Sequence, residues 1–324
     1  MKKWKVLATA VTFGKINKQP LERLEENGCK VITNPFGRPF TEGEFIKYGH
    51  DADAIIVGND KVTADIIEKC TNLKVIAKHG VGVDAIDIQT ANEYGIVVTY
   101  APGSNAEEVA DLTFGLMINL ARGIISGNED TKAGRWTKPM GRSFYKKTIG
   151  ILGLGSIGLA CARRGKGFGM NILGYDIIQN LKAMELGVQY VSLKDLLQKS
   201  DYITLHLPLT DQTKNILNKE NLSLVKKDVV IVNTARSQLV DYNALYERLT
   251  NGTVRGYATD VYDLEPPKHL PLFDLSNVIL TPHIGGTTVE SNRRMGETAV
   301  DNVLAVLKGE QVPNEVRARA FTKA

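Results

Sequence analysis

Three ionisable side chains stand just beyond short apolar runs in the second half of the chain: Arg236 in VNTARSQLVD, Glu265 in ATDVYDLEPP and His283 in LTPHIGG. Oxidising a hydroxyl to a carbonyl sends a hydride to an acceptor and a proton to a base, and a histidine that titrates near neutrality can serve that proton transfer in both directions. Of the five histidines, His283 is the one placed for this work. A carboxylate beside it, Glu265, would favour the imidazolium and fix the ring's orientation. Arg236 would grip a substrate carboxylate with two parallel N–H···O bonds and polarise the neighbouring carbonyl. Asp260 sits at the mouth of the run before Glu265. His206, in HLP at another run's end, reads as lining a cofactor site or capping a turn, and His50 and His269 read as loop histidines.

A hydride acceptor is implied by a second cluster. In ILGLGSIGLA, Gly153, Gly155 and Gly158 form GxGxxG directly after the apolar run Thr148–Leu152 and at the start of a helical pattern. The first glycine permits a tight turn, the second lets backbone approach a pyrophosphate, and the third allows the helix to pack closely on the strand. The helix N-terminus, opened by Ser156 and Ile157, presents unpaired N–H groups to the phosphates. Asp176 ends the next run, LGYD, 18 residues after Gly158, close to the interval of about 20 expected for an acid that binds ribose hydroxyls. A carboxylate there repels a 2′-phosphate, and Ile177 and Ile178 follow in place of a neutralising arginine. The pattern therefore selects NAD over NADP. Thr234, His206 and Asp260, at neighbouring strand ends, join Gly153, Gly155, Ser156, Ile157, Gly158 and Asp176 as expected cofactor contacts.

Elements must carry these groups to one place. Short β-branched runs alternate with amphipathic stretches almost end to end, the pattern of an α/β protein with parallel sheets. Strands are expected near 5–8, 30–33, 54–57, 74–77 and 97–99, with helices near 20–27, 41–48, 63–70 and 86–94. Thr63 is placed as an N-cap, and Gly28 and Gly95 as helix stops. A long apolar helix over 105–122 follows. The segment 127–147 then reads as a polar, Gly-rich excursion containing Trp136, which suggests a subunit contact. Six further strands, near 148–152, 171–175, 202–206, 229–233, 255–259 and 278–280, match a Rossmann-type doubly wound sheet. The last helix, near 288–308, comes after that sheet and is expected to return to the first domain. The expected division is a smaller flavodoxin-like domain from 1–101 and 287–324, and a dinucleotide-binding domain from 102–286.

Composition narrows the functional classes. At 324 residues the chain is long enough for two domains. With 43% hydrophobic and 23% charged residues, it reads as an ordinary globular protein. A net charge of +4, with scattered basic pairs, gives no nucleic-acid footprint. The most apolar stretch, Ile149 to Ala162, is broken by Gly and Ser and falls short of a membrane span. Three separated cysteines without a CxxC argue against a disulfide framework or a zinc site, so a cytoplasmic setting without a metal is expected.

Taken in order, KHGVGVDAID, GLGSIG with Asp176, NTARSQLVD, DVYDLEPP and TPHIGG resemble the motifs of the D-isomer-specific 2-hydroxyacid dehydrogenases over nearly the whole chain. The resemblance implies that Arg236, Glu265 and His283 are the catalytic set and that Asp260 touches the nicotinamide carboxamide. It also implies that N–H groups near Gly80, Val81 and Gly82 bind the substrate carboxylate, in a cleft closed by the smaller domain. It places the Trp136 excursion in a homodimer interface of the dinucleotide-binding domain. Within the family the likeness is greatest to the phosphoglycerate-oxidising branch, with hydroxypyruvate or glyoxylate as the alternative substrate and an NAD-sensing corepressor as the alternative of another class. Two departures stand out. Ser237 follows the arginine where members usually have Gly, and Gly58 and Lys78 stand where phosphate-binding arginines are expected, leaving Lys78 as a point charge for a phosphate.

Overall fold

A computed structural model describes residues 3–316. The chain divides after Asn105 and after Gly285 into two compact units.

In the first unit, β1 (Trp4–Ala8), α1 (Gln19–Glu26), β2 (Cys29–Thr33), α2 (Glu42–Gly49), β3 (Ala54–Val57), α3 (Ala64–Lys69), β4 (Val75–Lys78), α4 (Ile88–Glu93) and β5 (Val97–Thr99) follow one another. The strands form one parallel sheet in the order β2-β1-β3-β4-β5, the flavodoxin-like arrangement. β3 reads AIIV and is buried at every position, as a central parallel strand covered on both faces must be. Thr41 caps α2 through a reciprocal pair with Glu44, which satisfies two N–H groups that the first helical turn leaves unpaired. Thr63 occupies the N-cap of α3 but makes no side-chain capping bond.

The second unit contains α5 (Ala106–Arg122), α6 (Ile124–Lys132), β6 (Thr148–Leu152), α7 (Ser156–Gly167), β7 (Asn171–Tyr175), α8 (Leu181–Glu185), β8 (Gln189–Tyr190), α9 (Leu193–Lys199), β9 (Tyr202–Leu205), β10 (Val229–Asn233), α10 (Tyr242–Thr250), β11 (Val254–Thr259) and β12 (Val278–Leu280). Its sheet is parallel, in the order β12-β11-β10-β9-β6-β7-β8. The order reverses between β9 and β6, and ligands of such sheets bind beyond the strand ends at that reversal. Both faces are dry. Ile203, Leu205 and Ile231 face one apolar cluster, and Tyr202, Val230 and Val232 face the other.

The final helix, α11 (Val289–Lys308), belongs to the first unit. Its Ala299, Val300, Val303 and Leu304 share a core with Val6, Ile56 and Ala77 of that unit's sheet. A Thr288–Ser291 capping box opens the helix and Gly309, at φ 73°, ends it.

Three sequence expectations need correction. The sheet of the second unit has a seventh strand, β8, whose two residues are too few to show an alternating pattern. The segment from 127 is helical as far as Lys132, because α6 buries none of its residues and so carries no apolar stripe to read. The strand expected to reach His206 stops at Leu205. Among the described residues no single helix is long and apolar enough to cross a membrane.

Candidate active site

The glycine turn after β6 is dictated by contact. Gly153 has φ 94°, and a Cβ there would lie 2.7 Å from the backbone of His206. A Cβ on Gly158 would lie 2.0 Å from the Gly153 carbonyl oxygen. Neither position tolerates a side chain. Gly155 differs, since a Cβ there would meet no protein atom within 4 Å; the open space lies at the N-terminus of α7, where the first N–H groups are unpaired. The residues therefore fit a dinucleotide pyrophosphate, with Ser156 and Ile157 in the first turn of α7. At the end of β7, Asp176 accepts hydrogen bonds from Leu154 N (2.7 Å) and Ile178 N (3.2 Å). These donors orient the carboxylate and leave lone pairs for ribose hydroxyls.

Arg236, Glu265 and His283 occupy the loops that follow β10, β11 and β12, three neighbouring strands of one parallel sheet. His283 Nδ1 lies 2.6 Å from Glu265 Oε1, with both side chains partly exposed. That pairing leaves Nε2 as the nitrogen free of the carboxylate. His283 itself has φ 53°, a left-handed conformation that costs a residue with a Cβ about 1–2 kcal/mol. Asp260, 2% exposed, holds it there. Asp260 Oδ1 accepts from Thr281 Oγ1 (2.6 Å) and Ile284 N (2.8 Å), and Oδ2 accepts from Gly285 N (2.7 Å). The carboxylate thus grips the loop on both sides of the histidine.

On the arginine side, fully buried Asn233 brackets the turn. Its Oδ1 accepts from Ala235 N (3.0 Å) and its Nδ2 donates to Arg236 O (2.8 Å). The sequence reading missed Asn233. The available signal was an amide ending the otherwise apolar run VVIVN. Thr234, next to it, shares a hydrogen bond of 3.0 Å with Thr113 of α5; a buried threonine on an apolar helix stripe was the corresponding hint.

His206 is corrected as a side-chain contact of the cofactor. Residues two apart in a strand direction share a face, and the ring follows Thr204 inward beneath α7. Its Nε2 lies 2.9 Å from Thr204 Oγ1 and 3.2 Å from Cys161 Sγ. Burial holds this imidazole neutral, with its pKa lowered to about 3. Towards the glycine turn His206 presents its backbone.

In the first unit, the loop after β4 carries the residues expected to bind the substrate's carboxylate. Among the described residues the N–H groups of Val81 and Gly82 have no acceptor. Lys78, expected as a point charge for a phosphate, is instead 7% exposed, and its ammonium donates to the Gly58 carbonyl oxygen. Its alkyl chain runs beside Gly80, 3.1 Å from where a Cβ would stand. Next to it, the His79 ring is buried edge-on to Phe13, 5.9 Å between centroids. Burial, with the charge of Lys78, lowers its pKa to about 4.

Residues 114–285 match the family model of the D-isomer specific 2-hydroxyacid dehydrogenase NAD-binding domain. The chain belongs to the D-isomer-specific 2-hydroxyacid dehydrogenase family. It is 44% identical to the D-3-phosphoglycerate dehydrogenase of Methanocaldococcus jannaschii over 93% of its own length but only 58% of that protein's. It is 42% identical to the hydroxypyruvate reductase of Thermotoga maritima over 82% of this chain and 88% of the relative. Identity to the glyoxylate reductase of Thermococcus litoralis is 37%, over 93% and 97% of the two chains. Among solved structures, the Aquifex aeolicus D-lactate dehydrogenase complexed with NAD and lactic acid superposes with a TM-score of 0.83 at 31% identity, covering 96% of this chain and 98% of that one. NAD is the cofactor this 2-hydroxyacid dehydrogenase unit takes.

The two buried neutral histidines set an acid limit on stability. Their folded pKa values, about 4 for His79 and about 3 for His206, lie below the unfolded value of about 6.5. The unfolded chain therefore binds more protons as pH falls below that value, and stability is lost. At pH 5 each histidine should cost the fold about 2 kcal/mol relative to pH 7. The urea midpoint should fall between pH 7 and pH 5, and fall less in His79→Gln; equal midpoints at the two pH values would contradict this.

Proposed function

We propose that this protein interconverts a small D-2-hydroxy acid and its 2-oxo acid, passing a hydride between substrate C2 and NAD. The observation that carries the reading is the His283–Glu265 pair at 2.6 Å, set in the same sheet as the dinucleotide turn. When bound, NAD supplies the hydride donor or acceptor. The rest falls to side chains. His283 Nε2 gives a proton to the C2 oxygen during reduction and takes it back during oxidation, while Glu265 on Nδ1 holds the ring and steadies the imidazolium. Arg236 pairs with the substrate carboxylate and polarises the C2 carbonyl. Asp260 would hold the nicotinamide carboxamide as well as the loop it grips, and Thr234 would be a further contact of the cofactor.

The substrate this reading favours is unphosphorylated, of the hydroxypyruvate or glyoxylate type. Support comes from Lys78, buried with its ammonium on the Gly58 carbonyl, and from the names of two relatives spanned over 88% and 97% of their lengths. Oxidation of 3-phosphoglycerate is the second reading, favoured by the 44% identity to a D-3-phosphoglycerate dehydrogenase. Three buried cysteines, none in a disulfide among the described residues, support a reducing, cytoplasmic setting. The outward apolar side chains Ile124, Trp136 and Met140, from 52% to 89% exposed, support a homodimer formed through the second unit.

NADH consumption measured against hydroxypyruvate, glyoxylate, pyruvate and phosphohydroxypyruvate should rank the first two highest. A preference for phosphohydroxypyruvate would replace the favoured substrate with the second reading, and NADH binding without turnover of any acid would favour a sensing protein. His283→Ala should lower kcat by roughly a thousandfold while the Kd for NADH stays within about twofold; full turnover would remove His283 from the mechanism. Trp136→Glu should shift the sedimenting species from dimer to monomer, and a wild-type protein that already sediments as a monomer would end the dimer assignment.

A further inference from the structure

Where the family usually has glycine after the arginine, this chain has a buried hydroxyl with a definite partner. Ser237 is 2% exposed and opens the short 3-10 turn Ser237–Leu239. Its Oγ lies 2.6 Å from Asp263 Oδ1 and 3.0 Å from Gln238 Oε1. A serine has one proton to give, and the nearer, charged acceptor takes it.

We infer that Ser237 is a positioning residue that couples the Arg236 turn to the Glu265 loop through Asp263. Ser237 is bonded in sequence to Arg236, and Asp263 is two residues before Glu265. Two backbone holds on this turn face elsewhere. Gln238 O accepts from Asn215 N (2.8 Å) and Leu239 O from Leu217 N (3.0 Å), while Asn233 ties the turn to its own strand. The Ser237–Asp263 bond is a side-chain link between the turn at 236–239 and the loop at 261–265. The hydroxyl therefore sets the spacing between the guanidinium that holds substrate and the carboxylate that orients His283. A misplacement of about 1 Å lowers turnover when reacting groups must be aligned. The inference rests on the roles proposed above for Arg236 and Glu265.

The test is a set of variants in steady-state reduction of glyoxylate or hydroxypyruvate, with NADH Kd and Tm measured alongside. Ser237→Ala and Asp263→Ala should each lower kcat roughly tenfold, with NADH Kd unchanged and Tm within a few degrees. The double variant should be no worse than either single one, because both remove the same bond. Asp263→Asn, which keeps an oxygen acceptor, should recover most of the rate. In a Glu265→Gln background, Ser237→Ala should change kcat less than twofold. Wild-type kcat in Ser237→Ala, or losses that multiply in the double variant or the Glu265→Gln background, would overturn the coupling. Full turnover by Glu265→Gln alone would instead overturn the site reading beneath it, and the coupling with it.

Discussion

Among the described residues no cation pairs with the buried Asp260 carboxylate, which finds its hydrogen bonds in the loop that carries His283. Three donors, Thr281 Oγ1, Ile284 N and Gly285 N, converge on its two oxygens. Removing any of them would leave a carboxylate that is 2% exposed with one donor fewer, at a cost above an ordinary surface contact. The loop is therefore confined to the one path that delivers those donors. That path holds His283 at positive φ, a strain the surrounding bonds over-determine. The proton-transfer group is aimed by a requirement of electrostatics.

The sheet supplies the rest of the alignment. Adjacent parallel strands lie about 4.8 Å apart, so loops leaving β10, β11 and β12 from the same end start near one another whatever their sequences. Burial makes that frame stiff. β10 is covered at every position and all but one residue of β11 is buried. On such a frame a few side-chain bonds suffice: Asn233 for the arginine turn, Asp260 for the histidine loop, and Ser237 with Asp263 between two of the loops. The cofactor turn belongs to the same frame, since Gly153 is pressed against the backbone just past β9.

Legibility followed the range of the interactions. Periodic burial exposed most strands and the long helices, because parallel strands covered on both faces are apolar throughout and amphipathic helices repeat about every 3.6 residues. It failed for β8 and α6, one too short for any pattern and the other with no buried side. At the site, Arg236, Glu265 and His283 could be picked out because each follows an apolar run, and the glycines because their spacing is dictated by a turn. For His206 and Lys78 the chain position says less than the packing. Their places in the chain were right for a ligand, but the directions of their side chains depend on packing partners at Cys161, Thr204 and Gly58, which no local pattern announces.

What the sequence determined by itself was therefore the menu: a parallel α/β architecture, a dinucleotide turn with an acid for ribose, and a histidine, a carboxylate and an arginine at strand ends. These follow from local rules, since burial periodicity, turn sterics and strand-end position all act within about 20 residues. Only the tertiary structure decided which groups pair, which turn inward, and which carboxylate holds which loop. Glu265 reaches His283 across 18 residues, Ser237 reaches Asp263 across 26, and Asp260 grips backbone up to 25 residues away. Such contacts exist only once the sheet has brought distant strand ends side by side.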